Sequence, residues 1–236
     1  MRGLFAALLC AAAACAQTAQ KPAAPKLAGF PFQDESLRYS IKWPSGLSLG
    51  DATFTARRSG ESWTLDLAID AGVPGFSLAD RYHSVTFNGF CSAELDRNVS
   101  HAGRKTSEKT VFDAAAGTAH RETLPKGGTG DFSIPACPRD ALVYLYYARM
   151  ELGQGRIANA ADVYFGSTYS VTLHYAGEAT VTIDDKPLVA DRVTVSVRGP
   201  KADVSAEAYF ARDAARTPLM VKLPLSMGTF SLELVR

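Results

Sequence analysis

Residues 61–70 read ESWTLDLAID, and Trp63, Leu65, Leu67 and Ile69 occupy every second position, with Ser62, Thr64, Asp66 and Ala68 between them. A period of two is the signature of a strand with one dry and one wet face. The rule repeats along the chain. Tyr169, Val171, Leu173 and Tyr175 alternate with Ser170, Thr172 and His174, and Val193, Val195 and Val197 with Thr194, Ser196 and Arg198. Val204, Ala206, Ala208 and Phe210 follow it, as do Leu219, Val221, Leu223 and Leu225, then Phe230, Leu232 and Leu234. Sheets wet on one side are antiparallel, whereas parallel strands read as continuous apolar runs. Ser59-Gly60, Asp184-Asp185-Lys186-Pro187 and Gly199-Pro200 supply short turns, so the strands form a meander of hairpins.

One stretch breaks the pattern. From Asp140 to Leu152, the residues Leu142, Leu145, Tyr146 and Met150 recur at helical spacing, with Asp140 as N-cap and Gly153 as stop. About a dozen dry strand faces then have a single short helix as cover. The expected fold is therefore mainly β: a single curved antiparallel sheet, a barrel or half-barrel-like meander, with the helix packed on its concave side. Such a sheet encloses an apolar interior, filled by side chains or open to a ligand.

The chain of 236 residues carries 25 Lys plus Arg and 24 Asp plus Glu, a net charge of +1. Removing Arg2 with the leading segment leaves 25 − 1 = 24 against 24. This balance argues against a nucleic-acid binder and against a polybasic membrane-surface protein. Residues 1–16, MRGLFAALLCAAAACA, place one charge ahead of an apolar run from Leu4 to Ala14. The run is shorter than the about 20 residues a membrane span needs and has the proportions of a secretory signal. Ala14 and Ala16 are the small residues a signal peptidase reads, with cleavage before Gln17. A second route, acylation at Cys15, would leave a lipid-anchored protein instead. Residues 17–34 read as a flexible tether and 35–236 as one β domain, without a transmembrane span in the mature chain. The expected location is the periplasm, soluble or anchored through Cys15.

Cys91 and Cys137 remain after cleavage. In an oxidising compartment the two pair in one intramolecular way, the alternative being two buried thiols. His83, His101, His120 and His174 show no metal-ligand spacing, and neither a metal nor a cofactor is expected. The glycines of 126–130 read as a hairpin loop rather than a phosphate cradle, and no nucleophile elbow occurs. The expectation is thus a non-enzymatic protein. Gly72 to Leu78 reads as a loop carrying Val73, Phe76 and Leu78, which either form the lip of a cavity or fold back onto the core. Tyr144 and Tyr147 fall off the helical stripe and suit the same rim. Asp213 and Arg216 are placed to pair across a structural corner before Pro218.

Several of these pieces, in order, resemble a bacterial family, domain of unknown function 3108. They are Leu37-Arg38-Tyr39-Ser40-Ile41 leading to Gly50-Asp51-Ala52, and Asp80-Arg81-Tyr82-His83-Ser84. Arg104-Lys105 with Glu108 and Phe112-Asp113 follow, then Asp140-Ala141-Leu142 with Leu145-Tyr146-Tyr147-Ala148-Arg149. The last are Phe210 to Pro218 and Gly228 to Leu234. Ala141 departs from the proline often found after the capping Asp. The resemblance implies an exported, largely antiparallel β protein of the cell envelope and brings no activity or catalytic residue with it. The overall look is similar to half-barrel lipoprotein carriers and sensors, an analogy of fold alone. Three functions follow as expectations: binding of an apolar ligand or lipid, a structural or protein-interaction module of the envelope with a filled core, and, ranked last, a hydrolase with a site assembled in space.

Overall fold

A computed structural model of the chain describes residues 33–235, other than 74, 88, 126, 201, 226 and 227. The expected signal segment, its cleavage positions Ala14, Ala16 and Gln17, the alternative anchor Cys15 and most of the tether lie outside the described residues. Eight strands come first: β1 (Glu35–Lys42), β2 (Ser48–Ser59), β3 (Ser62–Val73), β4 (Phe76–Phe87), β5 (Cys91–His101), β6 (Arg104–Asp113), β7 (Thr118–Leu124) and β8 (Gly128–Ser133). A short β9 (Arg139–Asp140), the helix α1 (Ala141–Gly153) and β10 (Ala161–Tyr164) follow. Five strands complete the chain: β11 (Thr168–Ile183), β12 (Lys186–Gly199), β13 (Ala202–Ala211), β14 (Pro218–Leu225) and β15 (Gly228–Val235).

Among the described residues the fifteen strands form one sheet, in the order β8 to β1, then β15 back to β9. Two meanders are thus joined where the first and last strands pair, Tyr39 opposite Leu234. Every pairing is antiparallel except β9 with β10, which is parallel. The turns fall where the sequence placed them; Asp184 and Asp185 sit at φ 47° and 60° in a two-residue hairpin loop, the geometry that matches strand twist. The alternation read at 169–175 runs on as one long strand, β11, bulged between Tyr175 and Glu178. Gly50 is required by close approach, since a Cβ there would lie 2.0 Å from the Asp70 carbonyl oxygen.

Connectivity forces the sheet to curl. Fifteen strands at about 4.8 Å spacing would measure about 67 Å across if flat. The chain passes from β8 at one edge to β9 at the other through residues 134–138, a step that spans at most about 20 Å. The edges must therefore come round towards each other. The closing contacts are at β5: Ser92 N donates to Pro138 O at 2.8 Å, and Arg139 Nε donates to Phe90 O at 3.0 Å. Beyond this seam β6 to β8 overhang, and Phe112, Ala119 and Phe132 pack on Tyr164 of β10.

The helix lies inside the curl. Its cap is Asp140, as the sequence indicates. Burial extends further round the helix than the expected stripe. Leu142, Val143, Tyr144, Tyr146, Ala148, Arg149 and Leu152 are all buried, while Leu145 and Met150 are half-buried. The reason is the curl itself: the helix meets strands on several sides at once. The Tyr146 ring sits among Phe54, Trp63 and Phe90, at 5.5, 6.4 and 5.8 Å between centroids.

Candidate functional site

An apolar cavity of about 200 Å³ lies between one flank of α1 and the concave face of the sheet. Leu142 and Leu145 face it from the helix, Leu37 and Phe54 from β1 and β2, Phe210 and Leu232 from β13 and β15, and Phe165 bounds it from the β10–β11 turn. The alternation of the strands explains the lining, because each strand sends its dry positions to this side. Two polar side chains join it, Tyr39 and Arg149.

Arg149 is wholly buried, and the structure answers its charge with Glu35, the first residue of β1. Nη1 donates to Glu35 Oε1 at 2.5 Å and Nη2 to Oε2 at 3.1 Å. Nε donates to Ala215 O at 3.0 Å, and the Tyr146 hydroxyl also donates to Glu35. Burial opposes the guanidinium's charge, but the hydrogen bonds and charge of Glu35 outweigh it and hold its pKa above the ordinary arginine value. Burial likewise pushes the Tyr39 and Tyr146 hydroxyls well up. Tyr39 donates to Pro218 O at 2.9 Å, so α1 and β1 both hold the segment 212–218.

That segment corrects one expectation. Asp213 does not pair with the Arg216 side chain. It accepts from Thr217 N at 2.9 Å and Thr217 Oγ1 at 2.7 Å. Arg216, at φ 47°, is turned inward and donates to the buried Asp191 of β12 at 2.5 Å, where Tyr175 also donates at 3.1 Å. The ion pair of this corner reaches across the sheet to β12.

The helix start is anchored with equal care. Asp140 is fully buried; its Oδ1 accepts from Leu142 N and Val143 N, and its Oδ2 from Ser84 Oγ at 2.5 Å and Ser92 Oγ at 2.7 Å. Burial raises the carboxyl above the usual carboxylate range, against the pull of those four bonds. Three residues earlier, Cys137 forms a disulfide with Cys91, with Cα atoms 4.9 Å apart. Cap and disulfide pin the helix to β4 and β5 at the seam of the curl.

Of the residues expected at a cavity lip, Val73, Leu78, Tyr144 and Tyr147 do not line the cavity. Val73 ends β3 and is exposed, and Leu78 is half-buried in β4; neither lines the cavity. The expected loop is a tight hairpin, Val73 opposite Phe76, and the Phe76 side chain lies outside the described residues. Tyr144 is no rim residue: it is buried on the other flank of α1 with Val163 and Val171, and its hydroxyl donates to Asn159 O at 3.1 Å. Burial pushes that hydroxyl up to about 12. Tyr147 packs beneath the Arg139 guanidinium at 3.7 Å. Phe165, Arg149 and Tyr39 are cavity residues that local reading did not single out. Tyr39 shares the dry parity of Leu37 and Ile41, and Arg149 shares the helical stripe of Leu145 and Tyr146, but no local pattern marks either polar group as a lining residue.

Three histidines have carboxylate partners: His83 with Asp66 at 2.7 Å, His101 with Asp80 at 3.0 Å and His120 with Asp131 at 2.6 Å. His174 is exposed on the wet face of β11. Among the described residues no group of three His, Cys, Asp or Glu is placed to hold a metal ion. None of their helices is long and apolar enough to cross a membrane.

A curled antiparallel sheet around one braced helix defines a β-barrel-like class of protein. The crystal structure of a β-barrel-like protein of domain of unknown function DUF1849 from Brucella abortus superimposes with a TM-score of 0.63, at 9% identity, covering 86% of this chain and 96% of that one. At that identity the likeness is one of fold. The sequence matches the family described as protein of unknown function, DUF3108, over residues 38–235, and the chain belongs to that family. A comparison with curated proteins finds no match.

Proposed function

We infer that this is an exported, non-enzymatic envelope protein that holds an apolar ligand, an acyl chain or the lipid of a lipoprotein, between α1 and the concave sheet. The observation that carries the reading is the apolar cavity of about 200 Å³. Apolar cavities of about 150 Å³ already take benzene, whereas whole drug-sized ligands occupy about 300–1,000 Å³. The volume suits one segment of a hydrocarbon chain rather than a bulky ligand. The disulfide supports export, because such bonds persist in oxidising compartments. The test is mass spectrometry of the protein purified from its native envelope without denaturation. The expected result is a stoichiometric lipid mass released on unfolding; a bare polypeptide mass would count against it. A second reading, an interaction module of the envelope, draws support from β8, whose outer edge has no strand paired to it among the described residues.

A further inference from the structure

The wet side of the sheet carries a groove that shares no lining residue with the interior cavity. One row of side chains crosses five strands: Thr194 opposite Glu207, Glu207 opposite Lys222, Lys222 opposite Ser231, and Ser231 opposite Lys42. At strand spacing this row runs about 19 Å. The hollow above it measures about 710 Å³, and a second of about 500 Å³ continues it past Lys42 and Glu233 to the β11–β12 hairpin tip. That hairpin folds back, so that Val181 and Ile183 are buried in one cluster with Tyr209 and Met220.

The groove's chemistry is specific in three ways. Its charges are answered internally: Lys42 pairs with Glu233, Arg192 lies 3.6 Å from Glu207, and the Lys222 ammonium stands 5.3 Å over the Tyr209 ring. The lining of the larger hollow thus balances, Lys42 and Lys222 against Glu207 and Glu233. Asp184 and Asp185 at the far end of the second hollow add only negative charge. A polyanion therefore finds no basic surface there, and a polycation meets a balanced one over most of the groove. Each strand of the row is paired on both sides, so no backbone edge is offered to a peptide. One wall carries the half-exposed indole of Trp43, held edge-on to Phe230 at 4.9 Å. This wall is built in place. Pro44 seats so closely on Gly228 (φ 122°) that a Cβ there would lie 2.6 Å from the proline ring.

Balanced charges, hydroxyls from Thr194, Ser205 and Ser231, and an aromatic wall match a polyhydroxylated ligand that has an apolar C–H face. We propose that this groove binds a neutral oligosaccharide, with a sugar ring against Trp43 and its hydroxyls bonded to Glu207, Lys222 and Ser231. The test is titration of the full chain with maltohexaose, cellohexaose and chitohexaose, following tryptophan emission. Trp63, the other indole, is buried beside Phe90 and Tyr146, so a change reports on Trp43. At least one sugar is expected to saturate the signal by about 5 mM, an affinity of roughly 4 kcal/mol or better. Trp43→Ala should weaken binding, measured by calorimetry, by about tenfold or more. Ser205→Arg, at an exposed position, should abolish it with the melting temperature unchanged. Absence of saturable binding by all three sugars would overturn the proposal. So would binding that survives both substitutions, or an extended hexapeptide occupying the groove in their place.

Discussion

Glu35→Ala should destabilise the protein more than removal of its partner does. Arg149 is wholly buried and lies at a cavity wall, so removing Glu35 takes away the carboxylate that accepts from both of its terminal nitrogens. Breaking a buried pair in this way costs about 3–5 kcal/mol. The two bonds lost to the carboxylate, at 2.5 and 3.1 Å, are of the charged kind worth about 1.5–3 kcal/mol each, which gives the same magnitude. Arg149→Met leaves Glu35, whose side chain keeps 17% of its surface in water and can rehydrate. The cost should be smaller, about 1–3 kcal/mol, most of it from the Ala215 carbonyl left unsatisfied. The double variant Glu35→Met with Arg149→Met should be nearer to wild type than Glu35→Ala is, because an apolar pair replaces a desolvated ionic one. Equilibrium urea unfolding with the disulfide intact reads all three, and the double-mutant cycle isolates the coupling. Additive single effects, or a Glu35→Ala variant within about 0.5 kcal/mol of wild type, would refute the brace.

Other expectations follow from the same contacts. Replacing Cys91 or Cys137 by Ser opens a link across 46 residues and should cost about 4 kcal/mol before any relief of native strain, read as a urea midpoint shift. Asp140→Ala removes the cap and leaves the buried Ser84 and Ser92 hydroxyls without the carboxylate to which they donate, for about 3–5 kcal/mol by the same measurement. Because the folded Asp140 pKa lies above its unfolded value near 3.9, the folded state keeps the proton to higher pH. Its contribution is fully present below the unfolded value and declines as pH rises to the raised one. Asp140→Asn should erase that slope in urea midpoints measured across the window. Val73→Ser should leave ligand retention unchanged, since Val73 does not line the cavity.

The strands and the helix with its cap were legible because each is written locally; the cysteine pair followed from there being only two cysteines to join, and the inward curl from the excess of dry strand faces over one short helix. Alternation from Trp63 to Ile69 or Val193 to Val197 reports a face, and Asp140 reports a cap, within a few residues. The brace was not. Glu35 and Arg149 are 114 residues apart and meet through the pairing of the first and last strands, which no local period encodes. Arg216 illustrates the same limit, since the candidate three residues away, Asp213, is not its side-chain partner, and Asp191, 25 residues away, left no local signal. Tyr144 was misplaced for a different reason. A helical stripe assumes one dry side, whereas a helix inside a curled sheet has several.

The cavity itself is the claim on which the rest depends. Ala208 lines it, and Ala208→Leu should fill part of it while leaving every residue of the brace, the cap and the disulfide unsubstituted. Titration of wild type and variant with a fluorescent acyl probe such as cis-parinaric acid, alongside urea unfolding, is the direct test. Saturable one-to-one binding is expected in wild type, with binding lost and stability equal or raised by about 0.5–2 kcal/mol in the variant. Equal binding by both proteins, or a variant destabilised by the about 1–3 kcal/mol of an overpacked core, would mean that the space between helix and sheet is already filled.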